Sequence, residues 1–392
     1  MRDGRQNGYP ITAFAAANAL GTNTRRVTEA LRAGRSGLAP CRLDVPFETA
    51  CGALPDELPE PPARLRPYDT RLSRIALLVL EEIAEALSRA LRRRGPERVA
   101  IVFGTSTGGI RETEIAYDEF ARTGRLPASF DFERQHTFHA VLEVIRAVTG
   151  ARGPAYTIST ACSSSGKVFG SAQRLIRAGY ADAVLAGGVD TLCQMTLRGF
   201  GSLQALSKTP CRPFNVDRDG ISIGEGGAFA LLERDGEGPV RLLGVGESSD
   251  AYHMSHPHPE GLGARLAMEA ALAQAGLPGS AIDHVNAHGT GTPANDVVEA
   301  QAIAAVVGPG VPVSSTKGYT GHLLGGAGAT EAVFAALSIA HGFLPRSLGA
   351  EPVDPLVKAA ICSAGAERAV RTVMSNSFGF GGSNVSLLLG SA

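Results

Sequence analysis

Six short apolar runs constrain this chain more than any other feature: RVAIVFGTS, DAVLAGGVD, GAFALLE, VRLLGVGES, DHVNAHG and VRTVMSNSFG. Each reads as a buried strand. Between and around them lie amphipathic stretches at helical spacing, DTRLSRIALLVLEEIAEALSRALRRR, GARLAMEAALAQAG and NDVVEAQAIAAVVG. Strands alternating with helices predict an α/β fold with mainly parallel pairing. With 392 residues, 44% of them hydrophobic, the chain can bury more than one ordinary core. A break at ERDGEGPV (Glu233–Val240) divides it into residues 1–235 and 236–392. Proline and acidic residues crowd Val45–Pro67, which reads as a surface excursion. No repeat of 20–50 residues is visible.

Several function classes drop out early. Charged residues are 19% of the chain and the net charge is -1, without the basic excess of a nucleic-acid binder. The six cysteines form no CxxC pair and are sparse, which argues against a metal or disulfide framework and for a reduced, cytoplasmic setting. The opening MRDGRQNGYPITAFAAANALG has arginines before a mildly apolar run. Asn18 interrupts that run and alanine dominates it, so a signal peptide is not expected. No run of 18 apolar residues predicts a membrane span.

The chemistry concentrates at glycine-rich junctions. In AYTISTACSSSGKVFGSAQRLIRAG, strand character gives way to helix character at Cys162, with Gly179 as the stop. A helix start favours a thiolate, so Cys162 is either a nucleophile or a small buried residue. His288, in NAHGTGTPAND, and His322, in STKGYTGHLLGGAGATEAVF, each stand where a glycine-rich loop leads into a helix. Either is also readable as a structural histidine. Only four lysines occur, and one, Lys317, lies five residues before His322, with Glu331 nine after it. That pair would tune the histidine's charge or form an ordinary ion pair. SNSFGFGGSN sets Phe378 and Phe380 among Gly379, Gly381 and Gly382, a pattern for a mobile gate, an oxyanion-binding turn or a plain β-turn. YHMSHPHP lacks companion ligands at metal spacing and reads as a solvated loop.

Together TACSSS, CRPFNVDRDGISIGEGGAFALLE, AHGTGTPAND, TKGYTGHLLGGAGATEA and NSFGFGGSN resemble the elongating β-ketoacyl-acyl carrier protein synthases of the thiolase superfamily. The resemblance covers nearly the whole chain and implies a five-layer αβαβα fold of two similar halves. Residues 1–235 would carry the nucleophile and 236–392 both histidines. By resemblance, Cys162 is the acyl acceptor, and His288 and His322 are the catalytic histidines. Lys317 and Glu331 are the active-site pair, and Thr290 and Thr292 contact the pantetheine arm. Phe380 is the gate, flanked by Phe378 and Gly379, and its N–H joins that of Cys162 in an oxyanion hole. Arg66 and Arg212 would meet an acidic carrier protein.

The implied reaction is decarboxylative condensation of malonyl-carrier protein with an acyl group on Cys162. No metal or organic cofactor is implied, since the phosphopantetheine arrives on the acyl carrier protein. A homodimer is implied, or a heterodimer with a chain-length-factor-like homologue. The alternatives are a non-condensing acyltransferase and a chain-length-determining partner subunit, which lacks the nucleophilic cysteine. YPITAFAAANALG, in place of the usual first strand, and GTSTGGI after the second depart from the housekeeping pattern. YTISTACSSSGKVFGSAQRLIRAG and LCQMTLRGFGSLQALS resemble synthases of aryl polyene and related pigment pathways.

Overall fold

A computed structural model describes residues 8–392. The arginines Arg2 and Arg5 at the head of the signal-like stretch lie outside the described residues. Ten residues of that stretch form a central strand, β1 (Tyr9–Asn18). The strand runs follow in place: β2 (Val99–Gly104), β3 (Ala155–Ile158), β4 (Ala183–Asp190) and β5 (Gly226–Glu233), then β6 (Val240–Ser249), β7 (His284–Asn286), β8 (Pro312–Ser314), β9 (Thr372–Gly379) and β10 (Ser383–Ser391). The first five lie in the order β1-β5-β4-β2-β3 and the second five in the order β6-β10-β9-β7-β8. The two orders are the same, so the topology repeats where the sequence shows no repeat. The sets join edge to edge where Tyr9–Ile11 of β1 pairs with residues 240–242 of β6.

The pairing is not mainly parallel. β2 pairs parallel with β3 and β4, and β7 with β8 and β9. β5 runs antiparallel to β1 and β4, and β10 to β6 and β9. Buried strands look alike in sequence whichever way a neighbour runs. Direction is set by the connections, and a short turn at Phe380–Gly382 returns β9 directly into β10.

Helix α1 (Arg71–Arg94) starts at a reciprocal cap, in which the Thr70 hydroxyl accepts from the Ser73 N–H and the Ser73 hydroxyl from the Thr70 N–H, both at 3.0 Å. Leu72, Ile75, Val79, Ile83 and Leu87 repeat every three or four residues and bury one stripe. With α2 (Phe138–Thr149), α1 covers one outer face, while α4 (Leu262–Ala275) and α5 (Pro293–Val307) cover the other. Between the two strand sets lie α3 (Ser164–Arg177) and α6 (Ala327–His341), which touch strands of both. These are the five layers. Residues 327–339 of α6 are buried on every side, as a helix between two sheets must be. The two central helices meet at a small-residue crossing: a Cβ on Gly328 would lie 2.4 Å from the Gly166 nitrogen. No described helix is long and apolar enough to cross a membrane.

Residues 45–67 are not simply a surface excursion. Ala50–Gly52 is a buried strand, and Leu54, Leu58 and Leu65 are buried. The polar composition conceals these anchors because they are widely spaced.

Candidate active site

Cys162 lies between β3 and α3, as the strand-to-helix reading required. Ala161 before it has φ +52°, a left-handed conformation costly for a residue with a side chain. The serines brace this turn. Ser164 accepts the Thr160 N–H at 2.8 Å, and the Ser163 hydroxyl donates to the Thr160 carbonyl at 2.8 Å.

His288 follows β7, and its loop is held from α5. Glu299 accepts the N–H groups of His288 and Gly289, each at 2.7 Å, and the Asn295 amide at 2.9 Å. Burial pushes the Glu299 carboxyl up to about 7 against these donors. Asp296 accepts the Gly291 N–H at 3.1 Å and the Phe214 N–H at 2.7 Å.

His322 is pinned at both ends of its peptide, its N–H donating to the Ser222 carbonyl at 2.7 Å and its carbonyl accepting from Gly224 at 2.9 Å. Its Nδ1 accepts the Leu324 N–H at 3.1 Å, so the ring proton sits on Nε2. That Nε2 is buried and has no partner among the described residues. Asp190, at the end of β4, accepts the Gly325 N–H at 2.6 Å and the Thr107 N–H at 2.9 Å. It thereby ties the His322 loop to the loop after β2.

One atom each of Cys162, His288 and His322 lies within 4.8 Å of the others. The two rings meet edge to face, 5.2 Å between centroids. Burial, then the Lys317 charge, holds both imidazoles well below their ordinary pKa, with His322 adding to the effect on His288. Both rings are therefore neutral at pH 7. Lys317 is 1% exposed, and its Nζ lies 2.6 Å from Glu331 Oε1. Replacing Lys317 by methionine strands Glu331 without its cation, at a cost of about 3–5 kcal/mol. Urea unfolding will show this loss, and Lys317→Met with Glu331→Gln will recover much of it.

Cys162 corrects one expectation. Burial pushes its thiol up to about 11, against the Phe380 N–H, the Lys317 charge and its own N–H. The helix start does not yield a thiolate near neutral pH, because desolvation outweighs it. Alkylation by iodoacetamide will therefore accelerate about tenfold per pH unit from pH 7 to 10. A plateau near pH 7 would contradict this. The Phe380 and Cys162 N–H groups lie near enough to the sulfur to favour its ionised form.

The trio opens into a cavity also lined by Thr290, Thr292, Phe378, Gly379 and Phe380. The hydroxyls of Thr290 and Thr292 are 2.8 Å apart. Phe380 is 38% exposed, with its ring 5.5 Å from that of Phe200. His253 and His256 are exposed, as a solvated loop requires, yet they also line this cavity. The backbone of Arg212 packs against Gly291 beside the threonines. Arg66 is exposed on a turn (Ala63–Tyr68) packed against α2 and does not line the cavity. Asp190, Asp296 and Glu299 escaped the sequence reading. Their signals were an acid closing a buried strand and two acids three apart after a glycine loop. Among the described residues, the Cys–His–His trio is the group able to hold a metal ion, and zinc accepts such ligands. An ion there would occupy the Cys162 sulfur.

A buried cysteine on one half of a duplicated sheet, facing two histidines on the other, fits the thiolase-like condensing acyltransferases. The comparisons agree. The β-ketoacyl synthase N-terminal domain family matches residues 10–237, and the C-terminal domain family matches residues 240–351. A 3-oxoacyl-[acyl-carrier-protein] synthase 2 of Synechocystis is 32% identical over 402 residues, 96% of each chain. The mitochondrial 3-oxoacyl-[acyl-carrier-protein] synthase of Arabidopsis thaliana is 42% identical over 264 residues, 62% of this chain and 57% of that protein. A ketosynthase from Xenorhabdus doucetiae, solved with its chain length factor, is 39% identical with a TM-score of 0.93 over 100% of both chains. The chain belongs to the β-ketoacyl synthase family, and it is a condensing enzyme.

Proposed function

We propose that this enzyme loads an acyl group from an acyl carrier protein onto Cys162 and extends it by two carbons from malonyl-carrier protein. The observation that carries this reading is the His322 tautomer, which presents Nε2–H as a fixed, unpartnered donor in a buried pocket shared with the thiol.

In the first half-reaction the Cys162 sulfur attacks the acyl thioester. Its proton passes to His288, whose Nδ1 has no partner among the described residues and whose tautomer is free to adapt. The proton then goes to the departing pantetheine thiolate. The Cys162 and Phe380 N–H groups hold the oxyanion. In the second half-reaction His322 and His288 donate to the malonyl thioester carbonyl. Carbon dioxide leaves, and the enolate carbon attacks the acyl-cysteine. The Cys162 thiolate departs and takes up a proton. Loss of carbon dioxide supplies the drive, so the reaction as proposed uses no metal or organic cofactor.

We further propose a heterodimer with a chain-length-factor-like homologue, as in the Xenorhabdus ketosynthase and in the ishigamide ketosynthase/chain length factor, which is 29% identical. The aryl polyene or related pigment branch is proposed from the YTISTACSSS and LCQMTLRGFG segments, with Arg212 and Arg66 receiving the carrier protein. Carbon dioxide release from malonyl-carrier protein tests the condensing assignment. Release that accelerates once Cys162 is acylated supports it, and acyl transfer with no release would mean a non-condensing acyltransferase.

A further inference from the structure

Two other cysteines form a pair of their own, outside the cavity of Cys162. They lie on a small sheet built from Leu38–Pro40, Ala50–Gly52 and Ile223–Gly224. Ala39 pairs antiparallel with Cys51, and the Cys41 N–H donates to the Thr49 carbonyl at 2.9 Å. Side chains alternate along a strand, so Cys41 and Cys51 share one face as diagonal neighbours. Each thiol is near enough to perturb the other's ionisation. Both line a second cavity, together with Arg26, Arg42 and Arg111. Cys41 is partly exposed there, while Cys51 is 4% exposed. The Cys51 contact draws the Cys41 thiol down to about 6, against burial and with help from the Leu43 N–H. The same contact pushes Cys51 up, reinforced by burial. Of the two, the partly exposed Cys41 is the one whose ionisation is favoured, and the buried Cys51 lies beside it on the same face.

We propose that Cys41 and Cys51 are a redox-sensitive dithiol that closes to an intramolecular disulfide in response to a peroxide, slowing condensation. The Cys41 thiolate attacks one peroxide oxygen, an S–O bond forms, the O–O bond breaks, and the departing oxygen takes up a proton and leaves as water. The Cys51 sulfur then attacks the sulfenic sulfur of Cys41. An S–S bond forms, the S–O bond breaks, and hydroxide leaves as water with the Cys51 proton. Two thiols and one peroxide give one disulfide and two waters.

The route to the active site is short. Gly52, next to Cys51, leaves no space: a Cβ there would lie 2.0 Å from the Thr320 carbonyl oxygen. Its strand pairs with Ile223–Gly224, and the Gly224 N–H holds the His322 carbonyl at 2.9 Å. Drawing Cys51 toward Cys41 therefore moves a segment packed directly on the His322 loop.

The test treats the full chain with hydrogen peroxide and digests it with trypsin without reductant. The expected product is Ser36–Arg42 joined to Leu43–Arg64 with the loss of two hydrogens, separating again with dithiothreitol. No such peptide at peroxide doses that oxidise other cysteines would overturn the proposal. This arm does not depend on the proposed reaction. The activity arm does: peroxide should lower condensation in the wild type, reversibly with dithiothreitol, and leave Cys41→Ser unaffected. Equal loss in both proteins would assign the effect to another cysteine and overturn the coupling to His322.

Discussion

Replacing Cys162 by alanine will lower condensation by about 10⁴-fold or more, as removing a covalent nucleophile does elsewhere. No other thiol can substitute. Cys193 and Cys211 are buried, with their thiols raised to about 11, burial being the first cause for each. Neither lines the cavity with His288 and His322. The loss will be selective. Both histidines remain, so the variant keeps its capacity to polarise a malonyl thioester and should still release carbon dioxide. Steady-state condensation and carbon dioxide release, measured on the same preparation, separate the two half-reactions. Condensation near the wild-type rate would remove Cys162 from the mechanism.

The second large effect divides the two histidines. His322→Ala removes the fixed Nε2–H donor, and carbon dioxide release should fall by about 10²–10³-fold, the usual cost of one oxyanion donor. Acyl transfer to Cys162 should survive better, because His288 remains to take the thiol proton. His288→Ala should depress both half-reactions. Equal kinetics in the two variants would contradict the division of labour. A pH profile adds a readout that simple misfolding does not imitate. Both folded-state pKa values lie well below 6.5, so lowering the pH through 6.5 does not charge either ring. Carbon dioxide release should therefore stay flat from pH 8 down past 6. A midpoint near 6.5 would show an imidazole titrating as in water.

Much of this site was legible before any coordinates. Cys162, His288 and His322 sit in segments where a strand meets a glycine-rich turn and a helix, and local sequence specifies such junctions well. The apolar runs became strands because short runs bounded by turn residues have little alternative. What remained hidden depends on distance through space. Strand direction was hidden, since the antiparallel partners of β5 and β10 are chosen by connections. The Asp190 network was hidden, since the glycine it binds at residue 325 is remote in sequence. The thiol's raised pKa was hidden too: a helix start is visible in sequence, whereas the burial that outweighs it appears only in the packed structure. His253 and His256 show the converse, exposed loop residues that the fold carries to the mouth of the cavity.

The most direct measurement follows the acyl group itself. The enzyme is incubated with an acyl-carrier protein, its intact mass is recorded, and a digest locates the adduct. Malonyl-carrier protein is then added. The account predicts one acyl group on the peptide containing Cys162, stable until malonyl-carrier protein arrives. It is then consumed with one carbon dioxide released for each acyl group lost. An acyl group elsewhere, or one lost from Cys162 without carbon dioxide, would contradict it.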